Sequence, residues 1–196
     1  MSIISKKICM IGDFSVGKTS LIRRYMDNQF SDKYLTTVGV KISRKLISLN
    51  NYSAGKSLEL TASYKDGNKA NLNEGEETKL QMLIWDLEGS TRFQGIVPTY
   101  LQGASGALIV ADITRLNTID HLGEHTQLFN SINPHSPIII ALNKSDLCLA
   151  ETQHNMLLDV KQKMYPNILS ILHTSAKEDI GVTEAFQILA NHIAKS

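Results

Sequence analysis

The chain has 196 residues, 42% hydrophobic and 20% charged, with a formal net charge of +1. That length buries a sizeable single core, and the near-neutral balance excludes a strong electrostatic pull toward nucleic acid or anionic lipid. Two distant cysteines, Cys9 and Cys148, exclude a disulfide framework and a cysteine-built metal site, and they fit a reducing compartment.

In chain order, Lys6–Ile11 reads as a short apolar strand, and Ser20–Met26 reads as a helix. Between them Gly12-Asp13-Phe14-Ser15-Val16-Gly17-Lys18-Thr19 satisfies G-x-x-x-x-G-K-[ST] in the strand–turn–helix setting that the pattern requires. The alternative is a glycine-rich turn that binds nothing. Asp27–Gly39 is polar with scattered aromatics, a loop. Val40–Leu49 alternates as a strand with one wet face. At about 50–79 the composition shifts to Asn, Ser, Gly, Lys and Glu, with Asp66-Gly67 as a tight turn and Ser57–Thr61 as its strand-like piece. This is an insertion, either a mobile surface segment or a partner-binding extension. Insertions at a surface are tolerated at small entropic cost, which favours the first.

Leu80–Trp85 is the next strand and runs into Asp86-Leu87-Glu88-Gly89. Ser90–Ser105 is expected to hold a loop and a short helix. Ala107–Ala111 and Pro137–Leu142 are continuous apolar runs, the pattern of buried parallel strands. A polar helix is expected over 118–131, another over 152–164, and a strand over Ile168–His173. A last helix over Val182–Ala194 shows an apolar stripe at 182, 185, 186, 189 and 193. Alternating strands and helices predict an α/β fold, a mainly parallel sheet with helices on both faces, in one domain over 1–196. Ligands of such sheets bind beyond the carboxyl ends of the strands, where the polar clusters fall.

Each cluster has a chemistry. The loop's backbone N–H groups and the helix N-terminus suit phosphate oxygens, so Asp13, Phe14, Ser15, Val16, Gly17, Lys18, Thr19 and Ser20 are expected around a polyphosphate. Lys18 would reach its β- and γ-phosphates, and the Thr19 hydroxyl would ligate Mg²⁺. Asp86, at a strand end, can hold Mg²⁺ directly or through water, and the Gly89 N–H can approach a terminal phosphate. Asn143-Lys144-Ser145-Asp146 places a carboxylate where it can accept two in-plane N–H groups. Guanine offers that pair and adenine does not, and leaving such buried donors unmet is heavily penalised.

Together the loop, Asp86–Gly89 (D-x-x-G) and Asn143–Asp146 (N-K-x-D) resemble the Ras superfamily of small GTPases, and Thr174-Ser175-Ala176-Lys177 matches that family's last guanine motif. Thr36–Gly39, Trp85-Asp86, Arg92-Phe93 and Gly103–Thr114 are similar to its Rab branch. The resemblance covers nearly all the chain outside 50–79. It implies a P-loop NTPase (small G-protein) fold, GTP/GDP and Mg²⁺ as cofactors, and a GTP-binding molecular switch. It further implies that Phe30 packs edgewise on guanine, that Tyr34 closes over the phosphates, and that Thr37 joins Thr19 and Asp86 on Mg²⁺ in the triphosphate state. Ser175, Ala176 and Lys177 join Asn143, Lys144 and Asp146 at the base. Segments 30–40 and 87–101 become switches that meet effector and exchange-factor proteins. The catalytic set would be Lys18, Thr37, Gly89 and Ser90.

Departures from the family pattern qualify that set. Ser90 stands where the family has the Gln that orients water, and it is too short to replace it. Glu88 replaces a small residue near the γ-phosphate, and Phe14 replaces Gly or Ser in the loop. Each points to slow hydrolysis. A Glu88 carboxylate acting as base for the water is the competing view, but added negative charge opposes the neutralisation that phosphoryl transfer needs. Two functions follow: a slow or unconventional GTPase switch, or a GTP-loaded interaction module that scarcely turns over. A P-loop kinase would leave 143–146 and 175–177 without a role. No signal peptide, membrane span, prenylatable C-terminal cysteine or N-terminal myristoylation glycine is present. The expectation is a cytoplasmic protein with no direct lipid anchor, reaching membranes through a partner if at all, and with no nucleic-acid partner.

Overall fold

The computed structural model describes residues 2–31, 37, 39–48, 78–87, 97–162 and 167–195. The readings on Tyr34, Glu88, Gly89, Ser90 and most of the insertion lie outside the described residues.

The elements are β1 (Ser2–Ile11), α1 (Lys18–Asp27), β2 (Val40–Ser48), β3 (Thr78–Leu87), α2 (Val97–Leu101), β4 (Gly106–Asp112), α3 (Leu116–Asp120), α4 (Leu122–Ile132), β5 (Ile138–Asn143), α5 (Ala150–Gln162), β6 (Ile168–His173) and α6 (Val182–Ile193). The six strands form one sheet in the order β2-β3-β1-β4-β5-β6, with β2 antiparallel to β3 and the other pairings parallel. The α/β expectation, a mainly parallel sheet, is met.

Alternation along the central strands explains why they read as unbroken apolar runs. On β1, Ile8 and Met10 enter one core, and Cys9 and Ile11 enter the other. On β4, Leu108 and Val110 face the first core, while Ala107, Ile109 and Ala111 face the second. Both faces are covered, so neither set of side chains meets water. The first core is closed by the apolar stripes of α1 and α6. There Tyr25 stacks on Phe186 with centroids 4.1 Å apart, and the Lys45 ammonium lies 3.8 Å from the other side of the Tyr25 ring. Burial pushes the Tyr25 phenol up to about 12. The second core takes Leu101 from α2 and Leu122 and Phe129 from α4. Cys9 is fully buried there, its thiol pushed up to about 12 by desolvation, so it acts as a small hydrophobe.

Three boundaries are corrected. Thr78 and Lys79, placed in the insertion on composition, belong to β3, because they find backbone partners opposite Ser2, Ile3 and Ser48. By the same pairing β1 begins at Ser2, four residues before the apolar run. The helix expected over 118–131 is two helices, α3 and α4, which meet at His121. The Thr118 hydroxyl draws the first of them onto β4, donating to the Asp112 carbonyl at 3.0 Å and accepting the Asp112 N–H at 2.9 Å. These are tertiary bonds, invisible to helical periodicity.

Candidate functional site

The carboxyl ends of β1, β3, β4, β5 and β6 lie along one edge of the sheet. The loop residues Asp13–Thr19, with Thr37, Asp86, Asn143, Lys144, Asp146 and Ser175–Lys177, collect there, whereas Phe30 packs on the hydrophobic core. The Gly12–Thr19 loop leaves β1 and turns through three left-handed residues, Gly12 (φ 142°), Ser15 (φ 63°) and Gly17 (φ 99°), before α1 starts at Lys18. A Cβ on Gly12 would overlap the Val110 carbonyl oxygen, and one on Gly17 would overlap the Asn143 amide nitrogen. The loop is therefore threaded between β4 and β5 at a distance only glycine permits. Lys18 is 6% exposed, and its Nζ donates to the carbonyls of Gly12 (2.7 Å) and Asp13 (2.8 Å), across the arch of the loop.

Beside the loop is a cluster of oxygens. Thr19 Oγ1 donates to Asp86 Oδ2 at 2.5 Å and lies 2.8 Å from Thr37 Oγ1, which donates to the same carboxylate oxygen at 3.4 Å. Asp86 is 1% exposed, and its Oδ1 has no hydrogen-bond partner among the described residues. Burial raises its pKa, opposed by the Thr19 hydrogen bond and the Lys18 charge. A buried carboxylate with an orphaned oxygen beside two hydroxyls is an all-oxygen donor set, which suits a hard divalent cation such as Mg²⁺.

Farther along the same edge, two loops meet. Asn143 spans them: its Nδ2 donates to the Val16 carbonyl at 2.8 Å, and its Oδ1 accepts from Thr174 Oγ1 at 3.2 Å. Asp146 Oδ1 accepts from Ser175 Oγ at 2.6 Å, and Ser175 Oγ in turn accepts the Glu178 N–H at 3.0 Å. Lys144 takes a left-handed φ of 63° and places its Nζ 2.6 Å from Asp112 Oδ2. Burial alone would raise the Asp112 carboxyl, but Lys144 and Thr114 hold it below its usual value. Ala176 and Lys177 are held through their backbones: Arg24 Nε donates to the Ala176 carbonyl at 2.8 Å and Arg24 Nη2 to that of Lys177 at 2.9 Å. Phe30 is partly buried against the α1 and α6 core. Phe14 is 45% exposed, and its carbonyl accepts from Arg115 Nη2 at 2.8 Å.

Arg24, Arg115, His121 and His125 were not singled out from the sequence. Their partners lie roughly a hundred positions away or more, so no local spacing reveals them.

A glycine loop that passes its chain into a helix N-terminus, with an acid on the neighbouring strand end and two further loops joined to it at the same sheet edge, defines a P-loop nucleotide-binding protein. The Ras family model matches residues 7–195. The Ras-related protein Rab-1C of Dictyostelium discoideum is 31% identical over 191 residues, covering 97% of this chain and 81% of its own. From the same organism, Rab-32C is 32% identical over 200 residues (98% and 75%) and Rab-11B is 32% identical over 189 residues (95% and 73%). The chain belongs to the Ras family and is a small GTPase of the Rab branch, a class of GTP-binding switches that bind guanine nucleotide with Mg²⁺ and act through effector and regulator proteins. No helix among the described residues is long and apolar enough to cross a membrane.

Proposed function

We propose that this chain switches between GTP- and GDP-bound states and hydrolyses GTP slowly. The observation that carries the switch is the position of Thr37. It comes from the 30–40 segment, yet its hydroxyl reaches the Thr19 and Asp86 oxygens. Thr37 is thereby tied to whatever occupies the phosphate loop. In this reading Asp13–Ser20 surround the phosphates, with the Lys18 ammonium on the β- and γ-phosphoryl oxygens. Asn143, Lys144, Asp146 and Ser175–Lys177 read guanine, and Phe30 flanks it. Thr19, Thr37 and Asp86 hold Mg²⁺, which when bound neutralises charge on the phosphates. Tyr34 closes over the site, and the Gly89 N–H meets the γ-phosphate. Segments 30–40 and 87–101 meet effector and exchange-factor proteins. The protein works in the cytoplasm.

Slow turnover rests on Ser90, whose side chain stops short of an attacking water, and on Glu88, whose carboxylate opposes charge neutralisation at the γ-phosphate. Phe14 adds bulk at the loop, on a backbone pinned by Arg115. The test is the nucleotide released when freshly purified protein is denatured and chromatographed. Predominant GTP is expected. Predominant GDP removes slow hydrolysis and leaves the switch. Adenine nucleotide, or none where relatives retain theirs, overturns guanine binding altogether.

Ser90→Gln is expected to raise the single-turnover rate on the order of tenfold or more, since an oriented water is most of what this step lacks. An unchanged rate would shift the defect from water placement to crowding at Phe14.

A further inference from the structure

Asp13 carries the loop's one ionisable side chain besides Lys18, and it is gripped from both sides. Its Oδ2 lies 2.7 Å from His121 Nδ1 and its Oδ1 lies 2.9 Å from His125 Nε2. The two imidazoles sit one helical turn apart at the start of α4, where the His125 N–H donates to the His121 carbonyl at 3.1 Å. The next loop residue is fastened by the same stretch of chain: Arg115 bridges the Phe14 carbonyl (2.8 Å) and the Asp112 carboxylate (3.1 Å). The crest of the phosphate loop is thus tied to α3 and α4, elements with no assigned contact to the nucleotide.

We propose that His121 and His125 are positioning residues of the phosphate loop and that their charge sets how tightly nucleotide is retained, retention rising as pH falls. This rests on the guanine-nucleotide reading above.

With both imidazoles protonated, the triad with ionised Asp13 carries a net charge of +1; with both neutral it carries −1. Two effects then share one sign. Protonated imidazoles make charge-assisted bonds to Asp13 and hold the loop more firmly. They also cancel a carboxylate charge beside a loop that binds a polyanion. The charged groups facing the pair are Asp13 from the loop and, around His121, Asp120 from α3 and Glu124 from α4, all of which favour the imidazolium. Lys18 lies on the Asp13 carbonyl, and Arg115 is engaged with Phe14 and Asp112. The hydrogen bond to Asp13 raises the His121 pKa, so the gain is complete below the ordinary imidazole value of about 6.5 and is lost as pH rises past the higher folded value. Burial alone would raise the Asp13 carboxyl, but the two histidines hold it below its usual value, so it stays ionised throughout that window.

The experiment follows release of fluorescent GDP in excess Mg²⁺ and unlabelled GDP between pH values of about 5.5 and 8.5. It compares the native chain with His121→Gln/His125→Gln, which keeps a donor at each position and removes the charge. Release from the native chain should accelerate on the order of fivefold more across the range than release from the variant. Taking the difference between the two curves cancels titration of the nucleotide's own phosphates. Parallel curves overturn this inference and leave guanine binding standing. Failure of the native chain to retain guanine nucleotide at any pH overturns both. If the double variant does not fold, imidazole titration by NMR decides: the His121 midpoint should fall in Asp13→Asn, and an unmoved midpoint sinks the proposal.

Discussion

Replacing Asp146 by Asn should lower GDP affinity by at least about a hundredfold and let the chain prefer xanthosine nucleotides. The Asp146 carboxylate is not a loose surface group. The Ser175 hydroxyl fixes its Oδ1 at 2.6 Å, and the Glu178 N–H fixes that hydroxyl in turn at 3.0 Å. An acceptor-only group held in one orientation suits two N–H groups in a plane. Asn has the same shape but turns one acceptor into a donor. Against guanine that donor meets another donor, and two desolvated N–H groups are left unmet. Against xanthine it meets a carbonyl. Competition binding with the two nucleoside diphosphates measures the exchange, and thermal melting of the variant shows that the fold survives. A fall of less than about tenfold in GDP affinity, with no gain for xanthosine diphosphate, would remove Asp146 from base recognition.

Gly17→Ala should cost about 2–5 kcal/mol of stability and with it most nucleotide affinity. The residue sits at φ 99°, a region an L side chain rarely adopts, and an added Cβ would overlap Asn143 Nδ2. Asn143 is 2% exposed and has little room to retreat. Displacing it breaks its 2.8 Å bond to the Val16 carbonyl and its 3.2 Å bond from Thr174. One methyl group therefore disturbs the phosphate loop, β5 and the 174–177 loop together. Urea unfolding of the single variants and of Gly17→Ala/Asn143→Ala separates the causes. The double variant should lose less than the sum of the singles, because the overlap disappears while the backbone strain stays. Strict additivity would mean that the strain alone sets the cost.

The features legible in the sequence were those with short internal spacing. The loop could be read because glycines, Lys18 and Thr19 must follow each other closely where one strand passes into one helix. Buried strands β4 and β5 could be read because two apolar faces produce an unbroken apolar run. Asn143–Asp146 and Ser175–Lys177 each follow a strand, so their meeting at one edge follows from a parallel sheet. Contacts that depend on how elements pack were illegible. The division between α3 and α4 comes from Thr118 bonding β4, and the grip on Asp13 comes from histidines 108 and 112 positions away. His121 and His125 do show helical spacing, but an i, i+4 pair on a polar helix carries no hint of its partner. Lys144 was read for the base from its motif, and its own motif does not reveal that it also neutralises the buried Asp112.

Helix α1 joins the two halves of the site in a further way. At its first turn Thr19 meets the Asp86 and Thr37 oxygens, and at Arg24 it holds the carbonyls of Ala176 and Lys177. Roughly 7.5 Å of helical rise separates those two residues. A helix does not stretch, so the gap between the cation end and the base end is a fixed gauge, set once by backbone geometry. On the proposed function, nucleoside and phosphates would together have to span that gauge, so a ligand would be measured by length as well as by its end groups. Cutting the Arg24 fork would free one jaw of it while leaving the other intact, and discrimination by ligand length would then be lost separately from discrimination by base.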